Sequence, residues 1–134
     1  MYLLDTNVVS EARRGTSQVV SWLRSVDPLK VHLSVLTLGE IMRGIALKQK
    51  ADPRAAGHLA EWLQKIRHDH GDRILPITGE IAVEWGRIAA IRPRGDVDGL
   101  IAATAIVHDL IVVTRNVTEF SDTGATVIDP WGAA

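Results

Sequence analysis

The sequence predicts an α/β fold, an α/β/α sandwich in which a mostly parallel sheet of four to five strands is flanked by helices. Two observations lead to this prediction. Short apolar runs of strand length alternate with amphipathic stretches of helical period, and no linker or repeat interrupts them. Strands separated by a helix pair in parallel, because the helix crosses back over the sheet. A chain of 134 residues can bury one core, so we expect a single domain over residues 1–134.

Each element has a local signal. The candidate strands are residues 2–4, 31–35, 74–77, 111–113 and 125–128. Apolar residues at helical spacing mark three helices, and each of these faces carries one tryptophan that we expect to pack in the core: Trp22, Trp62 and Trp85. Pro53 is predicted to begin the long helix that contains Trp62, and Gly71 is predicted to end it.

The composition excludes several function classes. Cysteine is absent, which excludes thiol catalysis, cysteine-ligated zinc and iron–sulfur clusters. The beginning, MYLLDTN, has no basic segment, and no apolar run approaches the roughly 20 residues of a membrane span. We therefore expect a cytoplasmic protein without a membrane partner. The net charge of −1 argues against binding nucleic acid through a general basic excess, although eleven of the fifteen cations are arginine, which binds phosphate well.

Acidic side chains stand where the predicted strands end or the helices begin. Asp5 directly follows the first strand, and Glu40 lies in the helical stretch after the second. Asp96 and Asp98 precede the small-residue segment GLIAATAIV, and Asn116 follows the fourth strand. The carboxyl ends of parallel strands meet at one edge of a sheet, so these residues are candidates for a common site.

Each of these positions also has a purely structural interpretation. Asp5 can cap the following helix, and Thr37 with Glu40 matches a capping box. An acid in a first helical turn is favoured by the helix dipole, and Asn116 can simply occupy a turn. The pattern carries more weight than its members, because clustered carboxylates repel unless a cation neutralises them. Oxygen ligands alone select a hard ion such as Mg²⁺ or Mn²⁺, which favours metal-dependent phosphodiester or phosphomonoester hydrolysis.

Five segments occur in an order that resembles a known family. LLDTNVVSE, LTLGEIMRG, DGLIAATAIVHDL, VVTRN and VIDPW resemble the PIN-domain ribonucleases, and more narrowly the VapC-type toxins of type II toxin–antitoxin systems in the FitB-like branch. The resemblance extends from Tyr2 to Trp131. It implies a metal-dependent endoribonuclease in which Asp5, Glu40 and Asp98 hold the ion, directly or through water, and an activated water attacks the phosphate.

The match departs from the family at its fourth acidic position, which falls on Asn116 and is often aspartate in relatives. Asparagine brings no charge, so the resemblance implies catalytic residues Asp5, Glu40, Asp98 and Asn116 but leaves the number of metal ions open. Asp96 does not align and is predicted to be the helix cap. Glu119 is either the missing carboxylate or a solvated surface acid. Thr6 and Thr114 are expected to orient the ligands.

The resemblance also implies cofactors and partners. Mg²⁺ is the expected cofactor, with Mn²⁺ able to substitute, and RNA is the expected substrate. A VapB-type antitoxin is the expected protein partner, together with a homodimer and a larger complex that reaches operator DNA through the antitoxin. Four arginines near the motifs are candidates for binding RNA phosphates, although for any single one of them a solvated helix face is the favoured interpretation: Arg13, Arg14, Arg43 and Arg115.

Three other interpretations compete with the leading one. One is a catalytically silent PIN-fold module that binds RNA or a partner, supported by Asn116. Another is an aspartyl phosphatase, which would need a second acid where Asn7 stands and a lysine near the motifs. A histidine metal site at His58, His68 and His70 is disfavoured, since residues two apart on a helix do not face one another.

Overall fold

Every strand pairing in the computed structural model, which describes residues 1–132, is parallel. The strand order is β3-β2-β1-β4-β5, so β1 lies at the centre. The strands are β1 (Tyr2–Leu4), β2 (Val31–Ser34), β3 (Ile74–Leu75), β4 (Ile111–Val113) and β5 (Val127–Ile128). The predicted parallel sheet is confirmed, with β2, β3 and β5 shorter than expected.

Helices connect the strands and cover both faces of the sheet. They are α1 (Thr6–Arg14), α2 (Ser17–Arg24), α3 (Val35–Ala51), α4 (Pro53–His70), α5 (Gly79–Ala89), α6 (Asp96–His108) and α7 (Val117–Phe120). As predicted, α4 begins at Pro53 and ends against Gly71, whose φ of 47° lies in the region that glycine tolerates. In residues 1–132, no helix is both long and apolar enough to cross a membrane.

The alternation of side chains along β1 divides the core into two layers. Leu4 faces the cluster formed with α1 to α4, whereas Leu3 faces the cluster formed with α5, α6 and Phe120 of α7. Trp22 and Trp62 pack against the first cluster and Trp85 against the second, which confirms the predicted core role of the tryptophans. Both faces of the sheet are therefore covered, and its carboxyl edge remains for polar side chains.

Two helices begin directly at the end of a strand. Asp5 follows β1 and caps α1 by accepting a hydrogen bond from the Thr6 backbone nitrogen at 2.8 Å. Ser34, the last residue of β2, caps α3 by accepting from the Leu36 nitrogen at 3.0 Å. The alternative interpretation of Thr37 and Glu40 as a capping box is wrong, because Ser34 caps the helix three residues before Thr37 and leaves both side chains inside it.

Helix α6 is held by close packing rather than by a side-chain cap. Its N-cap residue is Gly95, and Asp96 is the first helical residue with no capping hydrogen bond, so the prediction of Asp96 as the cap is wrong. Six of the nine residues of the segment GLIAATAIV are buried and the other three are half-buried. A Cβ atom on Gly99 would lie 3.0 Å from Trp85 Cδ1, which shows how tightly α6 approaches α5 next to Asp98.

We predict that Gly99→Ala destabilises the fold by about 1 kcal/mol, since overpacking against Trp85 outweighs the better helix propensity of alanine. Gly44 is the matched control, because it lies in exposed helical backbone with no atom within 4 Å of an added Cβ. Gly44→Ala should stabilise by up to about 1 kcal/mol. Urea unfolding measures the free energy of unfolding of both variants. An equal increase in stability in both would contradict the close packing of Gly99 against Trp85.

Candidate active site

Asp5 is a buried carboxylate at the carboxyl end of the central strand. Its residue is 5% exposed, and burial raises its pKa, while hydrogen bonds from Thr114 and from the Thr6 backbone oppose the rise. The Thr114 hydroxyl donates to Asp5 Oδ2 at 2.8 Å, and the Asn7 amide lies 3.3 Å from the same oxygen. Asp5 can therefore be both a helix cap and a site residue, because its Oδ1 caps α1 while its Oδ2 bonds to Thr114 at the end of β4.

Glu40 joins this group through Thr6. The Thr6 hydroxyl donates to Glu40 Oε1 at 2.6 Å and lies 2.9 Å from the hydroxyl of Thr37. A hydroxyl has one proton, so Thr37 must be the donor to Thr6. These two hydrogen bonds, from Thr37 to Thr6 and from Thr6 to Glu40, hold the exposed glutamate beside the start of α1. Thr6 therefore contacts a candidate ligand, as the sequence analysis predicted for an orienting residue.

Asp98 lies in the first turn of α6, opposite these groups. Its pKa is raised to about 6, first by burial and then by the charges of Asp5, Glu119 and Glu40, while Arg94 acts in the other direction. Asp5, Glu40 and Glu119 are thus near enough to Asp98 to disfavour its charged form. Asp96 is exposed on the same turn and takes no part in this group.

Asn116 reaches the site through its backbone. Its nitrogen donates to the Thr114 hydroxyl at 3.0 Å, and that hydroxyl in turn donates to Asp5. The Asn116 side chain makes no capping bond to α7 and is exposed. Thr114 therefore connects the buried carboxylate to the loop that carries the fourth family position.

Arg94 was not among the residues singled out from the sequence. Its side chain is 2% exposed and donates to the Glu119 carbonyl at 2.7 Å and to Asp122 Oδ1 at 2.9 Å. Arg92 donates to Asp122 Oδ2 at 2.8 Å, and these bonds lower the pKa of Asp122 to about 2, with Arg94 the largest cause. The hydrogen bonds of Arg92 and Arg94 hold α7, which contains Glu119, beside the start of α6. No local pattern in RPRGD indicates a partner 28 residues away.

The predicted phosphate-binding arginines have different surroundings. Arg14 pairs with Glu11 at 2.8 Å. Arg13 lies with its guanidinium carbon 5.4 Å from the centroid of the Trp62 ring. Arg43 is exposed one turn after Glu40. Of these three, only Arg43 lies close to the carboxylates in sequence and carries no ion pair or aromatic contact in the described chain.

The donor set fits a hard divalent cation. No ion pair in the described chain involves Asp5, Glu40 or Asp98. Asn7 Oδ1 is buried without a hydrogen-bond partner in residues 1–132, on the side chain whose nitrogen contacts Asp5. No three acidic or histidine side chains of those residues converge enough to ligate one ion directly. Mg²⁺ suits such a site, because it takes one or two carboxylates and keeps several waters.

Comparison with known proteins decides the family. The family model for the PIN domain matches residues 2–125. The chain belongs to the PIN-domain family. Toxin FitB of Neisseria gonorrhoeae is 35% identical over 98% of this PIN-domain chain and 99% of its own length. VapC ribonuclease Y4jK of Sinorhizobium fredii is 28% identical, and the alignment covers 100% of both chains. The family predicted from the five sequence segments is confirmed.

Solved structures agree with this assignment. FitAB bound to an IR36 DNA fragment matches this PIN domain with a TM-score of 0.89 and 33% identity, covering 100% of this chain and 98% of that one. A toxin–antitoxin complex from Klebsiella pneumoniae matches with a TM-score of 0.69 and 25% identity, covering 97% and 98% of the two chains. Both neighbours were solved as complexes rather than as isolated PIN domains.

We predict that Asp98→Asn stabilises the metal-free protein at pH 7.5 by about 1 kcal/mol, a value reduced for the partial exposure of the group. The folded pKa is about 6, above the ordinary 3.8, so the charged form is disfavoured by folding. Wild-type stability should fall relative to the variant as the pH rises from about 4 to above 6, and stay level beyond. Thermal unfolding in EDTA across this range measures the effect.

Asp96→Asn is the control for that comparison. It removes the same charge from the same turn of α6, but from an exposed position. We expect no stabilisation from it, since the helix dipole favours an acid there. A similar gain in both variants would show that general charge, not the carboxylate group, is responsible.

We predict that Thr114→Val destabilises the fold by about 2 kcal/mol, because the buried Asp5 loses a charge-assisted hydrogen bond and the Asn116 nitrogen loses its acceptor. Thr104→Val is the matched control, since Thr104 is equally buried but its hydroxyl only donates to the Leu100 carbonyl within α6. That variant should lose less than about 1 kcal/mol. Urea unfolding measures the loss of stability in each variant. Equal losses would contradict the prediction that the hydrogen bonds of Thr114 contribute more than an ordinary buried hydroxyl.

Proposed function

We propose that the chain is a Mg²⁺- or Mn²⁺-dependent endoribonuclease that hydrolyses RNA phosphodiester bonds as the toxin of a toxin–antitoxin pair. The observation that carries the proposal is that the charges of Asp5, Glu119 and Glu40 act, together with burial, on Asp98, while Asp5, Glu40 and Asp98 have no ion pair in the described chain. Relatives bear the names toxin and ribonuclease, which supports the same activity.

In this proposal Asp5, Glu40 and Asp98 would hold the ion, directly or through water. When bound, the divalent cation would supply Lewis-acid chemistry, that is, polarisation of a phosphoryl oxygen and a lower pKa for a water molecule. Burial raises the pKa of Asp98 most, and the neighbouring carboxylates raise it further; a bound cation would relieve their repulsion. The absence of cysteine and the oxygen-only donors favour Mg²⁺ and Mn²⁺ over softer metals.

The protein's own groups orient the reaction. Thr114 and the Thr6 nitrogen fix both oxygens of Asp5, so this carboxylate keeps one rotamer. Thr6 fixes one oxygen of Glu40, and within residues 1–132 no group bonds its second oxygen. Glu40 Oε2 is thus available to hold a proton from an attacking water. The exposed Asn116 amide is positioned to donate to an RNA phosphate.

A catalytically silent RNA- or partner-binding module is the second candidate, and Asn116 is the observation that favours it. A neutral amide at the fourth position removes one charge from the site. In the hydrolytic proposal Glu119 compensates for part of this loss, because its charge acts on Asp98, Arg94 holds its backbone in place, and its carboxylate lies 3.8 Å from Arg92. The structure therefore gives the hydrolytic proposal the stronger support.

The proposed partners follow from the solved complexes. We propose that an antitoxin of the VapB type binds this chain, that the assembly includes a homodimer, and that the complex reaches operator DNA through the antitoxin. An apolar groove of about 470 Å³ offers such a partner a surface between α1, α2 and α4, with Arg13, Lys65 and Arg73 among its basic lining residues. RNA as substrate makes the cytoplasm the proposed place of action.

We predict that the purified, antitoxin-free chain cleaves RNA with Mg²⁺ or Mn²⁺ and loses this activity in EDTA. Asp98→Asn should reduce cleavage by more than about 100-fold, since it removes a proposed ligand, while Asp96→Asn should retain it. Cleavage that survives both EDTA and Asp98→Asn would reject the carboxylate mechanism. A folded chain that binds Mn²⁺ but cleaves none of a varied set of RNAs would favour the silent module.

A further inference from the structure

The exposed Arg115 and the half-buried Trp131 form a pair at the carboxyl edge of the sheet. The Arg115 guanidinium carbon lies 4.9 Å from the centroid of the Trp131 ring, within the range of a cation–π contact. Arg115 follows β4 and Trp131 follows β5, two adjacent parallel strands. Both residues therefore start from the carboxyl edge that carries Asp5.

Unlike the other arginines of this region, Arg115 makes no side-chain hydrogen bond or ion pair within the described residues. Arg92 and Arg94 are bound to Asp122, and Arg14 is bound to Glu11. In the described part of the chain, no acceptor lies within hydrogen-bonding distance of the Arg115 guanidinium. The stack on indole fixes the plane of the group while leaving its edge, which carries all five N–H donors, available.

Trp131 is a firm support for this arrangement. Its backbone nitrogen donates to Asp129 Oδ1 at 2.9 Å, and its ring packs against the core cluster that contains Leu4 and Val113. Arg115 itself lies between Thr114, which holds Asp5, and Asn116. The guanidinium is therefore supported by the indole ring, and the Arg115 backbone lies one residue from the hydrogen bond that fixes Asp5.

We propose that Arg115, held by Trp131, binds a phosphate of the RNA strand next to the phosphodiester bond that is cleaved. The inference rests on the proposed ribonuclease function and names the residue that receives the flanking nucleotide. A planar guanidinium edge matches two phosphate oxygens, and a cation at this place offsets the repulsion between the RNA backbone and the carboxylates. Arg115 is a substrate-binding residue, and Trp131 is a positioning residue that acts through it.

The test measures RNA binding without cleavage. Fluorescence anisotropy with a short labelled single-stranded RNA is recorded in the Asp98→Asn background, in Mg²⁺, over a series of NaCl concentrations. Arg115→Ala should weaken binding about tenfold at low salt and reduce the slope of log K against log salt by about 0.7, the value for one phosphate contact on a single strand. Arg115→Lys should keep most of the slope but lose part of the affinity, because lysine keeps the charge without the fork.

Trp131 variants separate positioning from folding. Trp131→Ala should weaken RNA binding about threefold, and Trp131→Phe, which keeps an aromatic face, should restore part of it. In the cleavage assay with Asp98 intact, Arg115→Lys should raise KM more than it lowers kcat. Thermal unfolding of every variant verifies the fold.

Arg54→Ala is the control, because Arg54 is an exposed arginine in the first turn of α4, separated from the carboxyl end of β2 by the whole length of α3. It should leave RNA affinity and salt slope unchanged. Unchanged binding in folded Arg115→Ala, or an equal loss in Arg54→Ala, would overturn the Arg115 subsite while RNA binding by Asp98→Asn itself still supported the proposed function. No RNA binding by Asp98→Asn would overturn both.

Discussion

The hydrogen bond from Thr114 to Asp5 joins the ends of the two central strands at the edge where the site lies. A buried carboxylate is costly unless it accepts hydrogen bonds, and Asp5 accepts them from Thr114 and from the first turn of α1. The pairing of Leu4 with Val113 sets the two strand ends level, so the contact depends on strand register. Because Thr114 also accepts from the Asn116 nitrogen, the β4 loop depends on the same hydroxyl.

Asp98 is held against this centre by packing rather than by hydrogen bonds. The apolar residues of α6 are buried against α5. Arg94 holds α7 in place by donating hydrogen bonds to the Glu119 carbonyl and to Asp122. The carboxylates of the site repel one another in the metal-free protein, and the surrounding core maintains the arrangement. Such a local conflict inside an otherwise consistent fold is typical of a functional site.

The sequence was sufficient for the alternation of strands and helices, the parallel sheet and the family, because apolar periodicity and the five segments are local signals. It placed the start of α4 at Pro53 correctly but was insufficient for the starts of α3 and α6. Ser34 and Gly95 took the capping positions expected near Thr37 and at Asp96, since the end of β2 depends on its pairing with β3 and α6 begins where Gly99 fits against Trp85. The roles assigned to the acidic residues remain predictions from the resemblance, although the structure shows how their side chains are held.

The net charge of the whole chain does not show whether an individual arginine is available to bind nucleic acid. The near-neutral net charge includes arginines that are neutralised locally, such as Arg92 and Arg94 by Asp122. RNA approaching an acidic centre is repelled unless a cation lies beside it, and what matters is one guanidinium with unused donors at that place rather than a basic excess over the chain. Arg115 is such a group, because Trp131 supports it through its π face and leaves its hydrogen-bonding edge to the substrate.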